Sequence, residues 1–555
     1  MILLFHKPTF VKINVSRVIA TFFILVIAIL LLSFPTTGEA SPKFLIFHLD
    51  AVSSQNFFQY MEDGDLPNLK TFFEDGHMIQ YGLSPYPGGT EMAIPHLKEG
   101  LNNSTGGVGW GYYDREKEKV IPSYKTLFYW LSYLPRRAKP CFIYGTPGLD
   151  TFLFLPFLNI PELLETYGVV ELYWFTTDSL GHLMGPGLYE ASIRRFDHYF
   201  GQLIKRLDFK ELNIILYCDH GMSFGRFIGT NQGEEIERIV GNDLVAFIHP
   251  NIYLKDTDKK GGLARDIVLK SEIDFTFYRE SPYRVVGYSD QGKMIFEEKE
   301  GKIRYLFEGD DALGYYSFGY NGEWLTDLEW LSRTRESKFP GVPPNIYHLM
   351  SNEKAGDIVI VINPPKIPIF SLRYPANHAG LTNTDLMMPI LLKGEQLKHL
   401  YDREEMWLYN LYTSIPELSF ENLEPAREKN SFSFWKKGHG EDDLSLEMNL
   451  SPAYRWNIGL GYSDDIYRGW VEYDIYSSYF IRLWTGAGLK YQEEQTEPFV
   501  QARLQLDFGK VQFNCGWQYD AEGWQENTKE IVYQINDRLA LEWFIPNGLG
   551  LSISW

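Results

Sequence analysis

The sequence predicts an α/β body, a mostly parallel sheet with helices on both faces, followed by a C-terminal antiparallel β-barrel or meander. Three observations predict it. Apolar runs such as Ile214-Ile-Leu-Tyr-Cys218 are too short for helices and do not alternate, the pattern of strands buried on both faces. Such runs recur with an acid or an imidazole just past their ends. From Ser431 onward the chain changes to an alternation of apolar and polar residues with period two.

The chain has 555 residues, too many for one core, so two or three domains are expected. The proposed division is residues 1–40 as an export signal, 41–425 as the α/β body with an insertion at about 235–345, and 431–555 as the β domain. Arg17 to Leu32 is almost wholly apolar, follows the basic residues Lys7 and Lys12, and precedes the small residues around Gly38-Glu39-Ala40, as a cleaved signal would; an uncleaved anchor is the competing reading. Either places the remainder outside the cytoplasm, in the periplasm or cell envelope. A formal charge of −20 argues against a nucleic acid duplex as partner, which would need a basic face. Cys141, Cys218 and Cys515 are too few and too scattered for a disulfide framework or a thiolate metal site.

Taken in order, Lys43-Phe-Leu-Ile-Phe-His-Leu-Asp50 is an apolar strand ending on an acid. Asp65 to Gly76 reads as a short amphipathic helix. In Ser84-Pro-Tyr-Pro-Gly-Gly-Thr90 a Pro/Gly loop hands over to a helix at Thr90, so the hydroxyl stands at a helix start, a position that favours negative charge; an ordinary N-cap is the plain alternative, and Ser84 is a weaker candidate nucleophile. Glu171 to Asp178 is a third strand ending in an acid, with Asp178 and His182 four apart across a glycine-containing loop. A helix over Ile193–Leu207 leads to the strand that precedes Asp219-His220. Tyr283 to Phe296 reads as a hairpin turning at Asp290-Gln-Gly292, with a further strand from Gly301. The α/β pattern returns at Asp357–Asn363, and His378 precedes another buried strand. Ligands bind at the carboxyl edge of open α/β sheets, where Asp50, Asp178, Asp219 and His220 follow strands, and with Thr90, His182 and His378 there are enough hard ligands for two divalent ions.

Together these motifs resemble the alkaline phosphatase superfamily, and within it the nucleotide pyrophosphatase/phosphodiesterase branch. They are F-H-L-D50, G-G-T90 with Gly100-Leu101 ten residues on, D178-S-L-G-H182-L-M-G-P, D219-H220-G-M and H378-A-G. The resemblance covers about residues 42 to 400 and implies an alkaline-phosphatase-like fold and a phosphoric ester hydrolase acting on a small phosphate ester. It further implies two zinc ions, one held by Asp50, Thr90, Asp219 and His220 and the other by Asp178, His182 and His378, with Thr90 as the catalytic nucleophile that forms a phosphothreonine. The sequence departs from the branch at two points. No asparagine falls in Gly106 to Asp114, where many members place one against a phosphoryl oxygen, and Glu91 replaces the usual aromatic or apolar residue after the nucleophile. These departures keep the expected activity at the level of phosphoric ester hydrolysis, diester or monoester. Phosphoryl transfer or sulfate ester hydrolysis on the same site is an alternative, although no Cys-x-Pro-x-Arg motif is present. A metal-binding module without turnover is another.

In the β domain, Leu444, Leu446, Met448 and Leu450 alternate with Ser445, Glu447 and Asn449, and Ala502, Leu504, Leu506 and Phe508 with Arg503, Gln505 and Asp507. Roughly eight such segments are expected. Polar residues on one face, aromatics near strand ends and the terminal Trp555 resemble small outer-membrane barrels, whose apolar side chains face lipid, and imply outer-membrane association; a soluble barrel with an apolar interior is the alternative.

Overall fold

The computed structural model describes residues 42–90, 94, 107–122, 141–144, 154–227, 232–367, 376–378, 380–418 and 430–554, less short turns between the C-terminal strands. The expected export segment, Glu91 and the Gly100-Leu101 pair lie outside the described residues.

The main sheet has seven strands in the order Glu405–Trp407, His77–Leu83, Met387–Lys393, Leu212–Tyr217, Lys43–Leu49, Val169–Trp174 and Cys141–Tyr144. Only Met387–Lys393 runs against its neighbours; the other pairings are parallel. Its central strands are buried at almost every position, which is why their sequences are continuous apolar runs. Separate apolar clusters lie on the two faces. One is built with the helices Ser54–Glu62, Pro67–Phe73 and Pro186–Ile204, the other with the segment from Leu397 to Leu418. The helix Pro186–Ile204 buries Tyr189, Ile193, Phe196, Phe200 and Leu203 at three- and four-residue spacing, and Phe196 and Phe200 meet Phe47 edge-on at 5.6 and 5.4 Å.

A second, wholly antiparallel sheet has the order Leu244–Ile248, Asn251–Leu254, Ile358–Val361, Phe275–Ser281, Arg284–Tyr288, Gly292–Lys299 and Lys302–Gly309. Ile358–Val361 therefore does not return the chain to the parallel sheet, as the sequence pattern implied. It is buried on both faces because it lies in the middle of this second sheet.

Residues 431–554 form a closed antiparallel barrel of ten strands, not eight. Strand Ser431–Lys437 pairs with Gly548–Ser554 to close it. Its outer face is apolar, with Trp456, Leu460, Val471, Leu489, Trp543 and Leu549 exposed, and the side chains buried in its interior are largely polar, among them Glu472, Asp474, Arg482, Gln518 and Glu542. Several interior charges are paired, among them Arg482 with Asp474 at 3.3 Å and Lys490 with Asp520 at 3.0 Å. Glu472 accepts from Asn457 (3.0 Å), Gln501 (2.9 Å) and Arg503 (2.9 Å), and the guanidinium groups of Arg482 and Arg503 each lie 4.2 Å from the centre of the Trp484 ring. Among the described residues no helix is long and apolar enough to cross a membrane, which says nothing about strands.

Candidate active site

Asp50 immediately follows strand Lys43–Leu49, and Asp219 and His220 follow Leu212–Tyr217, so parallel pairing of these strands brings the three residues to one edge. Asp178 and His182 arrive differently. They lie not on a loop but on the helix Thr176–Met184, at i and i+4 on one face, just past strand Val169–Trp174. Gly181 does not break this helix; a Cβ there would stand 3.0 Å from Met222 Cε, so the glycine serves close packing. Thr90 is the first helical residue after the Gly88-Gly89 loop, as its position in the sequence implied.

The structure brings all seven predicted residues together. Thr90 Oγ1 lies 3.4 Å from Asp50 Oδ2 and 3.3 Å from His220 Nε2. His220 Nε2 is 3.1 Å from Asp50 Oδ1 and 3.7 Å from Asp219 Oδ2. Beside them Asp178 Oδ1 lies 3.3 Å from His182 Nε2 and 3.5 Å from His378 Nε2. The His220 and His378 rings stack at 3.9 Å, which joins the two halves. His220 Nδ1 meets Gly221 O at 3.0 Å and His378 Nδ1 meets Gly88 O at 2.8 Å, so each ring turns its Nε2 toward the carboxylates. Gly221 admits no side chain, because a Cβ would fall 1.8 Å from the Thr384 carbonyl oxygen.

The site is buried and densely charged. Burial, then the carboxylates of Asp219 and Asp178, pushes the Asp50 carboxyl well above its ordinary range. Burial also opposes the ionisation of Asp219, but the imidazoles of His220 and His48 outweigh it and hold that carboxyl far below the usual range. His220 is raised against burial by Asp219 and Asp50, whereas burial and then the neighbouring His220 lower His378 to about 3.

Three groupings have donor atoms within 4.8 Å of one another and could hold a cation: Asp178, His182 and His378; Asp50, Asp178 and His220; and His48, Asp50 and Asp219. The donors fit divalent ions. They are carboxylate oxygens and imidazole nitrogens, the mixed set that zinc accepts, and the buried Asp178 Oδ1 and Asp219 Oδ2 accept no hydrogen bond.

Sequence reasoning missed three residues. His48 lies 3.1 Å from Asp219 Oδ1, and Tyr173 donates its hydroxyl to Asp50 Oδ2 at 2.5 Å, with the same hydroxyl 3.4 Å from Thr90 Oγ1. Period-two alternation from Asp50 puts His48 on the same side of its strand, a signal available in F-H-L-D. Asp385 was also missed. It accepts from Ser223 Oγ (2.6 Å) and Gly380 N (2.8 Å), tying the loop after Asp219-His220 to the loop that carries His378. In the run without an asparagine, the Trp110 ring lies 5.0 Å from that of His249, Gly109 packs on Pro250, and Gly111–Asp114 pairs with Lys119–Pro122, so these residues serve packing.

A family model described as type I phosphodiesterase / nucleotide pyrophosphatase matches residues 147–366. The span contains Asp178, His182, Asp219 and His220, with Asp50, Thr90 and His378 on either side. No curated protein matches the chain. Among solved structures, wild-type alkaline phosphatase PafA is similar at 10% identity and a TM-score of 0.46, over 70% of this chain and 97% of that one. Murine ectonucleotide pyrophosphatase/phosphodiesterase 5 is similar at 17% identity and 0.42, over 69% and 95%. The human form of that protein is similar at 15% identity and 0.41, over 68% and 94%.

Proposed function

We propose that this chain, whose residues 147–366 match the type I phosphodiesterase / nucleotide pyrophosphatase family model, is a member of the alkaline phosphatase superfamily and an exported phosphoester hydrolase with Thr90 as nucleophile and two zinc ions as cofactors. The observation that carries this reading is the position of Thr90 Oγ1, within 3.4 Å of both Asp50 and His220 at an edge where four further candidate ligands converge. Asp50, Thr90, Asp219 and His220 would hold one ion and Asp178, His182 and His378 the other. Bound there, the ions would supply positive charge that favours the Thr90 alkoxide and offsets charge on the phosphoryl oxygens.

The chain's own residues then do the following. Thr90 Oγ1 gives up its proton toward Asp50, attacks phosphorus and displaces the ester oxygen, and the proton passes from Asp50 through water to that oxygen, which leaves as the alcohol. Water cleaves the resulting phosphothreonine and restores the Thr90 hydroxyl. The test is hydrolysis of paired chromogenic phosphomonoester and phosphodiester substrates by the full chain, with metal content measured alongside. Turnover that requires about two zincs and is lost in Thr90→Ala with the metal retained supports the reading; full metal without turnover of either ester overturns it.

The barrel is read as embedded in the outer membrane. Its apolar side chains point out, its interior is polar, and several strands have the 9–11 or more residues needed to cross a bilayer at a tilt. Sedimentation of the full chain with lipid vesicles, resistant to alkaline carbonate extraction, is the expected result; release by carbonate would overturn this part.

A further inference from the structure

The barrel and the candidate active site lie at opposite edges of the main sheet. At the barrel's inner rim, the turn between strands Gln495–Phe508 and Val511–Asp520 is clasped by the side-chain amide of Asn159, whose Nδ2 donates to Asp507 O at 3.1 Å and whose Oδ1 accepts from Gly509 N. Gly509 has a φ of +67° and packs against Leu158, so the turn is fitted to this contact. A cavity of about 1220 Å³ continues from this seam into the barrel, lined by Lys43, Asp208 and Leu212 of the α/β body and by Glu447, Arg503 and Lys529 of the barrel.

Lys43 and Leu212 are the first residues of the strands Lys43–Leu49 and Leu212–Tyr217. Asp50 and Asp219 stand just beyond the last. A seven-residue advance along a strand at 3.3 Å per residue separates the seam from the site by roughly 23 Å. On the same end of the sheet Gln396 N donates to Asn213 Oδ1 at 2.9 Å beside Leu212, and His399 Nε2 meets the Ser414 carbonyl at 2.8 Å. With ten strands the barrel returns to the same rim, where Ser431 pairs with Ser554.

We infer that the active site opens away from the bilayer that holds the barrel and draws water-soluble phosphoesters from the aqueous compartment, not lipids of that membrane. This rests on the hydrolase and membrane readings above. A lipid phosphate in the same leaflet would have to rise from the barrel rim past the whole length of the sheet to reach Thr90, whereas a soluble ester approaches that edge from the side away from the bilayer.

The test uses the full chain in phosphatidylethanolamine/phosphatidylglycerol vesicles. Cys515, the one cysteine not fully buried, is changed to alanine, and a single fluorophore is placed either at Phe209→Cys, exposed at the seam edge, or at Leu188→Cys, exposed on the helix that follows the His182 segment. A nitroxide on the lipid headgroup is expected to quench the Phe209 label at least threefold more than the Leu188 label. Equal or stronger quenching at Leu188 overturns the orientation whatever the activity, and no quenching at either label overturns the membrane reading and the inference with it. In the same vesicles a soluble chromogenic phosphodiester should be hydrolysed at least 100-fold faster than a phospholipid phosphodiester within the bilayer. Comparable turnover of the bilayer lipid overturns the inference. Loss of both activities with the expected quenching pattern overturns the hydrolase reading and the substrate assignment, and leaves the orientation standing.

Discussion

Tyr173 donates its hydroxyl to Asp50 Oδ2 at 2.5 Å, the same oxygen that faces Thr90 Oγ1 at 3.4 Å. The tyrosine thus orients the carboxylate beside the nucleophile and competes for the lone pairs that would take the threonine proton. Removing the hydroxyl with Tyr173→Phe keeps the ring and its 4.4 Å stack on His48 but frees the carboxylate to rotate. Loss of such an outer hydrogen bond typically costs 10–100-fold in metal affinity or activity. The expected outcome is a kcat lower by about that factor with KM nearly unchanged. Wild-type kcat in Tyr173→Phe would remove Tyr173 from the mechanism.

His48 is held between Tyr173 and Tyr217 at 4.4 and 4.8 Å, with Nε2 3.1 Å from Asp219 Oδ1. His48→Phe preserves the stack and deletes the nitrogen. Metal dissociation constants, read by chelator competition, should rise about 10–100-fold, and excess metal should restore most of the activity. An unchanged metal affinity would make His48 a packing residue only.

These two residues also mark how far the sequence could be read. Asp50, Asp219 and His220 were legible because each stands next to the end of its own strand, a local fact. Tyr217, His48 and Tyr173 form one row across three strands, through the register pairs His48↔Tyr217 and His48↔Tyr173, and no register exists until the strands are paired. The Asp178 to His182 segment was mistaken for a loop because Gly181 has low helix propensity, which packing against Met222 overrides. The barrel was undercounted for a similar reason. Strand Ile481–Gln492 contains Thr485-Gly-Ala-Gly488, small residues that dilute the alternation, and Gly488 is required because a Cβ would fall 2.5 Å from Phe499 Cζ.

His249 sits buried at the turn between Leu244–Ile248 and Asn251–Leu254, and burial lowers its pKa from 6.5 to about 4. Between those values the unfolded chain binds a proton that the folded chain does not. Stability is therefore unaffected above pH 7, falls as pH drops from 6.5 to 4, and loses on the order of 3 kcal/mol in all. Asp385, raised by burial to about 6, acts in the opposite sense, its stabilising effect present in acid and lost as pH rises through 6. Comparing wild type with His249→Gln cancels the Asp385 contribution. The urea midpoint of the α/β body, measured on the intact protein, should fall less between pH 7 and pH 4.5 in the variant than in wild type. Parallel pH profiles would show that His249 titrates normally.

Val471 lies on the outer face near the middle of strand Ile466–Ser477, 43% exposed, while its neighbour Glu472 points inward and is 2% exposed. If lipid surrounds the barrel, an arginine at position 471 must either enter hydrocarbon or thin the bilayer around itself, which costs about 2–4 kcal/mol near the midplane. If water surrounds it, Val471→Arg replaces an exposed apolar side chain by a charged one, and a surface change of that kind is expected to shift stability by about 0.5 kcal/mol at most. Glu472→Leu gives the complementary reading. It deletes the acceptor for Asn457, Gln501 and Arg503 in either environment, leaving the Arg503 guanidinium inside the barrel without its carboxylate, so it should destabilise the barrel in vesicles and in detergent alike. Denaturant titration in vesicles should therefore show both variants impaired. Val471→Arg as stable as wild type, with Glu472→Leu impaired, would mean that the apolar outer face meets something other than lipid.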